Sequence, residues 1–286
     1  MNIVFMGTPE FSLPTLHKLY ESDHDVLLVV TQPDRPKGRG RESTPPPVKQ
    51  FALEKKIPVL QPIKCTNLEI VKTLGALNAD VFIVVAFGQI LDENLLALPH
   101  HFCINLHSSL LPKYRGAAPI NWAIINGETE TGVTTMKMNA GLDTGDILLS
   151  RKVPIRNKDD AQSLHDTLAH QGSSLVMETL NQLDSGSLEA TSQNSDLASY
   201  APKLKKEDGL IKWNQPAVKI HNLVRGLTPW PGAFSFLGSK RFKICKTETK
   251  SCDLTDQPGV ILRISGHGIE VGTQNERIVI TELQPE

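Results

Sequence analysis

Cysteine is scarce in this chain of 286 residues, and Cys65, Cys103, Cys245 and Cys252 form no Cys-x-x-Cys pair. Such spacing is poor for a metal site and fits reduced thiols in the cytoplasm. No apolar run approaches the ~20 residues that span a bilayer, and the amino terminus lacks a basic flank followed by an apolar core. A cytoplasmic location is therefore expected. An excess of one charge is missing too: 30 Lys and Arg against 31 Asp and Glu leave a formal net charge of -1. Any contact with nucleic acid must then come from a local patch. Aromatics make up only 5% of residues, which disfavours a plain module that binds RNA by stacking bases. Tandem repeats and low-complexity tracts are absent.

What is present is ordinary for a globular protein, with 40% apolar and 21% charged residues and enough length for one or two domains. Asn2-Ile-Val-Phe-Met6, Val26-Leu-Leu-Val-Val-Thr31 and Asp80-Val-Phe-Ile-Val-Val-Ala86 are nearly continuous apolar runs, as parallel strands covered on both faces require. Helical spacing between them, as in Leu68, Val71, Leu74 and Leu77, predicts a core stripe. The alternation predicts a Rossmann-like α/β fold, a mainly parallel sheet with helices on both faces. A dinucleotide fingerprint would need Gly-x-Gly-x-x-Gly after the first strand, and only Gly7 is there, so NAD is not expected.

A long helix is predicted from Asp160 to Leu183, closing a first domain over 1–188. Residues 189–207 contain a polar, turn-rich stretch without clear period and read as a linker. Over 208–286 a short helix, Val218 to Leu227, precedes runs at Phe234–Leu237, Phe242–Cys245, Gly259–Leu262 and Ile278–Ile280, each bounded by Gly or Pro. That texture predicts a small β-barrel.

Three stretches carry candidate chemistry. In Cys103-Ile-Asn-Leu-His107 the alternation puts Asn105 and His107 on one strand face, entering a polar loop limited by Pro112 and Gly116. Taken alone, such a pair more often just hydrogen-bonds a turn. Between Asn139 and Asp146 lie two acids and two glycines, Gly141, Asp143, Gly145 and Asp146. Asx turns explain either acid, and are preferred for Asp146. Gln32 to Arg41 carries Arg35, Lys37, Arg39 and Arg41 against one acid and has no apolar anchor. It is expected to be mobile, either a solvated loop or an arm that contacts phosphates.

The run Ser109-Leu-Leu-Pro-Lys-Tyr-Arg-Gly-Ala-Ala-Pro119, followed by Gly141-Leu-Asp-Thr-Gly-Asp146, resembles the signature of the folate-dependent formyltransferases. Within them the chain is most similar, from Asn2 almost to its end, to those whose acceptor is methionyl-tRNA. Many members have Gly where this chain has Ser108, and they usually run on beyond the last strand into a further segment. The resemblance implies an enzyme moving formyl from 10-formyltetrahydrofolate to the α-amine of initiator methionyl-tRNA. It implies Asn105, His107 and Asp143 as catalytic, and Ser109, Leu110, Leu111 and Pro112 as lining the folate. Phe87 and Gly88 would lie near the pterin, although Phe87 is more often a core residue. Arg35, Lys37, Arg39 and Arg41 match a tRNA-contacting insertion, and the second domain is implied to be an OB-like barrel that helps hold tRNA. A monomer is expected.

Such chemistry fits the residue types. An amine attacks the formyl carbon, negative charge develops on the formyl oxygen, and donors such as the Asn105 amide and a protonated His107 stabilise it. A carboxylate such as Asp143 mediates the proton transfers. Asn105, His107 and Asp143 offer one good metal ligand and two weak ones, so no metal is expected. Other amines remain as alternative acceptors, glycinamide ribonucleotide or an amino-sugar nucleotide, and so does hydrolysis of formyl-folate. The basic stretch and the second domain argue for the tRNA, since a small acceptor needs neither.

Overall fold

Apolar runs stopped by Gly, Pro or Asp become the strands of one sheet. The computed structural model describes residues 1–37, 42–252 and 257–285, and divides into two units. The first comprises Met1–Arg115, Gly132–Val153 and Asp166–Ser199, and the second Gly116–Thr131, Pro154–His165 and Tyr200–Glu286.

In the first unit the strands are β1 (Asn2–Gly7), β2 (Asp25–Val30), β3 (Val59–Leu60), β4 (Val81–Val85), β5 (Cys103–His107), β6 (Glu130–Lys137) and β7 (Ile147–Pro154), and its first helices are α1 (Leu13–Tyr20) and α2 (Pro47–Glu54). Their order is β7-β6-β5-β4-β1-β2-β3. β1, β2, β3, β4 and β5 run parallel to one another, while β6 is antiparallel to β5. Every residue of β4 is buried, as is β1 beyond Asn2, so both faces of the central strands are covered. One face packs Val4, Met6, Phe82 and Val84 against Leu74 of α3 (Leu68–Gly75) and Leu95 of α4 (Glu93–Leu96). Each such side chain, taken from water, contributes roughly 1.5–3 kcal/mol. Asn67 caps α3 by accepting from Glu69 N–H at 3.0 Å. Leu68, the first residue after that cap, is 66% exposed and does not join the expected core stripe. On α6 (Ala161–Asp184), Gly172 permits close approach to the sheet, since a Cβ there would come within 2.6 Å of Leu106 Cδ2.

The basic stretch differs from the expected unanchored loop. Arg35–Lys37 pairs antiparallel with Glu42–Thr44 in a short hairpin. Asp34 fixes its base, accepting from Lys49 Nζ at 2.7 and 2.9 Å and from Gln61 Nε2 at 2.7 Å. The Gln61 hydrogen bond, then Lys49, hold the Asp34 carboxyl below its ordinary range. The one acid in that stretch is thus its anchor. Arg39 and Arg41 lie outside the described residues, as does the side chain of Lys37.

The second unit holds α5 (Pro119–Ile125), α7 (Ala217–Gly226) and a five-stranded antiparallel sheet. Its strands are β8 (Ala233–Leu237), β9 (Lys240–Lys250), β10 (Ile261–Ser265), β11 (Gly268–Gly272) and β12 (Arg277–Pro285), in the order β8-β9-β12-β11-β10. β11 has no counterpart among the expected runs. Its central Glu270 is buried and ion-paired with Lys250 at 2.7 Å and Arg277 at 3.4 Å, so a charge occupies the middle of a strand. Phe236 of edge strand β8 and Ile261 of edge strand β10 line one apolar cavity with Trp213, Phe242, Ile269 and Leu283. Both sheet edges reach that cavity, so the sheet curls as a barrel does.

Candidate functional site

Strand β5 ends in the middle of the first sheet, where its alternation has consequences. Ile104 and Leu106 are buried on one side, while Asn105 and His107 share the other. Asn105 lies opposite Met136 and His107 opposite Thr134 on β6. The chain leaves β6 beside Cys103, at the far end of β5, where Met138 N–H donates to the Cys103 carbonyl at 2.9 Å. The β6–β7 connection then carries Asp143 back to His107, with Oδ2 at 3.7 Å from Nδ1. The other ring nitrogen, Nε2, lies 2.9 Å from the Tyr114 carbonyl oxygen.

A carbonyl only accepts, so Nε2 carries a proton and donates it. In the neutral ring that leaves an Nδ1 lone pair facing a carboxylate; a proton on Nδ1 converts the contact into an ion pair. At 3.7 Å the two groups are too far apart for a direct hydrogen bond, which leaves Nδ1 able to serve a third group. Asn105 is half-buried, and among the described residues none hydrogen-bonds its side-chain amide. A half-buried amide that no protein group engages has two donors and an acceptor available to a ligand.

Two backbone outliers lie here. Tyr114 has φ +61° and Asp143 φ +50°, left-handed conformations that cost a side-chain-bearing residue strain and cluster at working sites. Both are braced. Tyr114 N–H donates to Ser199 Oγ at 2.9 Å, and Arg115 N–H to the Ser199 carbonyl at 2.8 Å. Gln193 Nε2 donates to the Asp143 carbonyl at 2.9 Å and the Gly145 carbonyl at 2.7 Å. Within the connection, Asn139 Oδ1 accepts from Gly141 N–H at 3.0 Å and from the Thr144 hydroxyl at 2.8 Å. The Asx role expected of Asp146 thus falls to Asn139, and Asp146 instead accepts from Ser192 Oγ at 2.9 Å.

The loop after β5 is equally fixed. Ser109 is fully buried; its hydroxyl donates to the Lys113 carbonyl at 2.6 Å, and its carbonyl accepts from Thr134 Oγ1 at 2.7 Å. Leu111 is buried, while Leu110 and Pro112 are half-exposed. Register places the end of β4 next to β5, with Val85 opposite Leu106. Beyond it Ala86 and Gly88 are exposed, but the Phe87 ring is buried in the core at 2%. Gly88 has φ +82°, a turn that suits glycine. Gln89 ties neighbouring loops together, accepting from Cys65 N–H at 2.8 Å and donating to the Pro62 carbonyl at 2.9 Å. At the opposite end of β5, burial pushes the Cys103 thiol up to about 12. Arg35 is exposed, its guanidinium donating to Gln32 Oε1 at 3.0 Å.

The structure therefore brings His107 and Asp143 together and sets Asn105 on their face of β5. Gln193, Arg115 and Ser199 escaped the sequence because nothing in their neighbourhoods repeats at a structural period. Among the described residues no group of three His, Cys, Asp or Glu side chains is arranged to hold a metal, and no helix is long and apolar enough to cross a membrane.

The profile of the family described as formyl transferase matches residues 1–180, and that of the formyl transferase C-terminal domain matches 203–286. A methionyl-tRNA formyltransferase of Geobacter sulfurreducens is 54% identical over 286 residues, covering 100% of this chain and 90% of that protein. Among solved structures, HypX from Aquifex aeolicus in complex with tetrahydrofolic acid is 19% identical with a TM-score of 0.68, covering 99% of this chain and 44% of that one. An N-formyltransferase from Helicobacter canadensis, in complex with folinic acid and dTDP-3-aminofucose, is 19% identical with a TM-score of 0.73, covering 99% of each chain. At such identities the two structures share the fold.

Proposed function

The chain belongs to the formyl transferase family, and from that premise we propose that it moves formyl from 10-formyltetrahydrofolate to the α-amino group of initiator methionyl-tRNA, giving N-formylmethionyl-tRNA. Identity of 54% over the whole chain to a protein of that name supports the acceptor. The observation that carries the chemistry is the partnerless Asn105 amide beside the His107–Asp143 pair.

Formyl on the folate nitrogen is an activated amide that the acceptor amine attacks directly. Asn105 donates its amide N–H to the formyl oxygen as negative charge gathers there. His107 donates from Nδ1, because Nε2 is occupied by Tyr114. One oriented donor of this kind contributes a few kcal/mol to the transition state. Asp143 receives the proton the amine sheds, through water, and returns one to the departing folate nitrogen. No covalent enzyme intermediate is required, and no metal is given a role.

For the folate we assign the exposed backbone at Ala86 and Gly88 with the half-exposed edges of Leu110 and Pro112. Ser109 and Leu111 act by holding that loop, and Phe87 by backing it. For the tRNA we assign Arg35, Lys37, Arg39 and Arg41 to phosphates, with the curled sheet of the second unit as further RNA surface. The enzyme works as a monomer in the cytoplasm, where charged tRNA is found. Incubation with 10-formyltetrahydrofolate and charged initiator tRNA should yield formyl-methionine. Release of formate at the same rate without RNA would instead indicate a hydrolase, and formylation of an amino-sugar nucleotide in preference to tRNA would move the acceptor.

A further inference from the structure

Gln193 lies in the polar stretch after α6, yet all four hydrogen-bonding positions of its side chain are in use. Oε1 accepts from Arg115 Nε at 3.1 Å and Arg115 Nη2 at 2.7 Å, while Nε2 donates to the carbonyls of Asp143 and Gly145. The amide orientation is unambiguous, since guanidinium nitrogens only donate and carbonyls only accept. Arg115 is 3% exposed, and among the described residues no carboxylate pairs with it. A buried cation thus leans on one neutral amide, and by drawing on its oxygen strengthens the two bonds its nitrogen donates.

The position of this bridge matters more than its strength. His107 is held between Tyr114, at Nε2, and Asp143, at Nδ1. Arg115 follows Tyr114 directly, and Gln193 grips Asp143 by its own carbonyl. One side chain therefore links the two loops that carry both partners of the imidazole. Neighbours reinforce it: Ile147 and Thr191 exchange backbone hydrogen bonds at 2.8 Å, and Ser199 holds Tyr114 and Arg115.

We propose that Gln193, oriented by Arg115, is a positioning residue that sets the Asp143 carboxylate against His107 for formyl transfer. This rests on the assignment of Asp143 above. Gln193→Ala in the full chain should lower kcat about 10- to 100-fold, as sub-ångström to ångström displacement of a catalytic group does, with KM for folate and tRNA little changed. Gln193→Glu keeps the shape and the acceptor for Arg115 but has no N–H for the two carbonyls, so it should lose kcat similarly. If the alanine variant fails to fold, the glutamate variant decides.

A double-mutant cycle separates positioning from general support. In an Asp143→Asn background, Gln193→Ala should lower kcat by less than about twofold, because the group it positions no longer works. A full further loss there, a wild-type kcat in both Gln193 variants, or a loss confined to KM would overturn the proposal. Wild-type turnover by Asp143→Asn alone would overturn the assignment of Asp143, and the proposal with it. Loss in Asp143→Asn beside unchanged Gln193 variants would overturn the proposal only.

Discussion

The Nε2 atom of His107 and the carbonyl oxygen of Tyr114 lie 2.9 Å apart, and Tyr114 holds that oxygen in place at φ +61°. One edge of the imidazole is thereby committed to the protein, leaving Nδ1 as the edge that faces Asp143 and any ligand. His107→Ala should lower kcat about 10²–10³-fold, the usual cost of removing one oriented donor. The two amide replacements should differ. His107→Asn keeps an N–H near the Nδ1 position and should retain more activity than His107→Gln, which keeps one near Nε2. Steady-state kinetics of the three variants checks this, and the reverse ranking would put the working proton on the wrong nitrogen.

Asn105 and Asp143 are expected to act with His107 as a unit. Asn105→Ala and Asp143→Asn should each reduce the single-turnover rate by about 10²-fold or more, with binding of folate and tRNA close to unchanged. The double variant should be far less impaired than the product of the two losses. Simple multiplication, or wild-type turnover in Asp143→Asn, would contradict the shared role.

Gly145 has a purely steric requirement. A Cβ there would overlap the Lys137 carbonyl oxygen, which is main chain and has no rotamer to escape into. Gly145→Ala should destabilise the protein by about 1–3 kcal/mol and displace the carbonyl that Gln193 holds. A lowered Tm together with a lowered kcat is expected. An unchanged Tm would mean that the loop relaxes freely.

Asp34 makes a prediction about acid. Its carboxyl is held below the ordinary range, by the Gln61 hydrogen bond first and Lys49 second. A depressed folded value means that its contribution is fully present above the unfolded value of about 4 and is lost as pH falls through the folded one. Gln61→Leu removes the larger cause. Its stability should therefore fall less steeply than that of wild type as pH drops below 4, measured by urea unfolding across the acid range. Parallel curves would show that the clamp does not couple to folding.

The basic arm is best tested by salt. If Arg35, Lys37, Arg39 and Arg41 contact phosphates, each neutralisation should weaken binding of many tRNAs alike and flatten the plot of log K against log salt by roughly one unit. Loss of only the preference for initiator tRNA, at unchanged slope, would instead assign that residue to a base or an unpaired end. Hydrolysis of free formyl-folate, run alongside, should not move.

What the sequence determined on its own was whatever local periodicity encodes. Apolar runs such as Val81–Val85 had to be buried on both faces, the alternation at Cys103–His107 had to put Asn105 and His107 on one side, and the helical repeat after Asp160 had to become α6. The motif after His107 carried the family, and with it Asp143, which no spacing rule singles out. Tertiary structure decided the rest, because it concerns contacts between residues far apart in the chain. Only the path of the β6–β7 connection, which starts beside Cys103 and folds back, brings Asp143 to His107. Gln193 looked like any polar residue in an aperiodic stretch, and what distinguishes it is four partners on Arg115, Asp143 and Gly145. β11 was invisible for a related reason, since its central Glu270 is tolerable inside only with Lys250 and Arg277 beside it. Local pattern fixes which face a side chain takes, but the partner that makes a buried polar group stable, or reactive, comes from elsewhere in the fold.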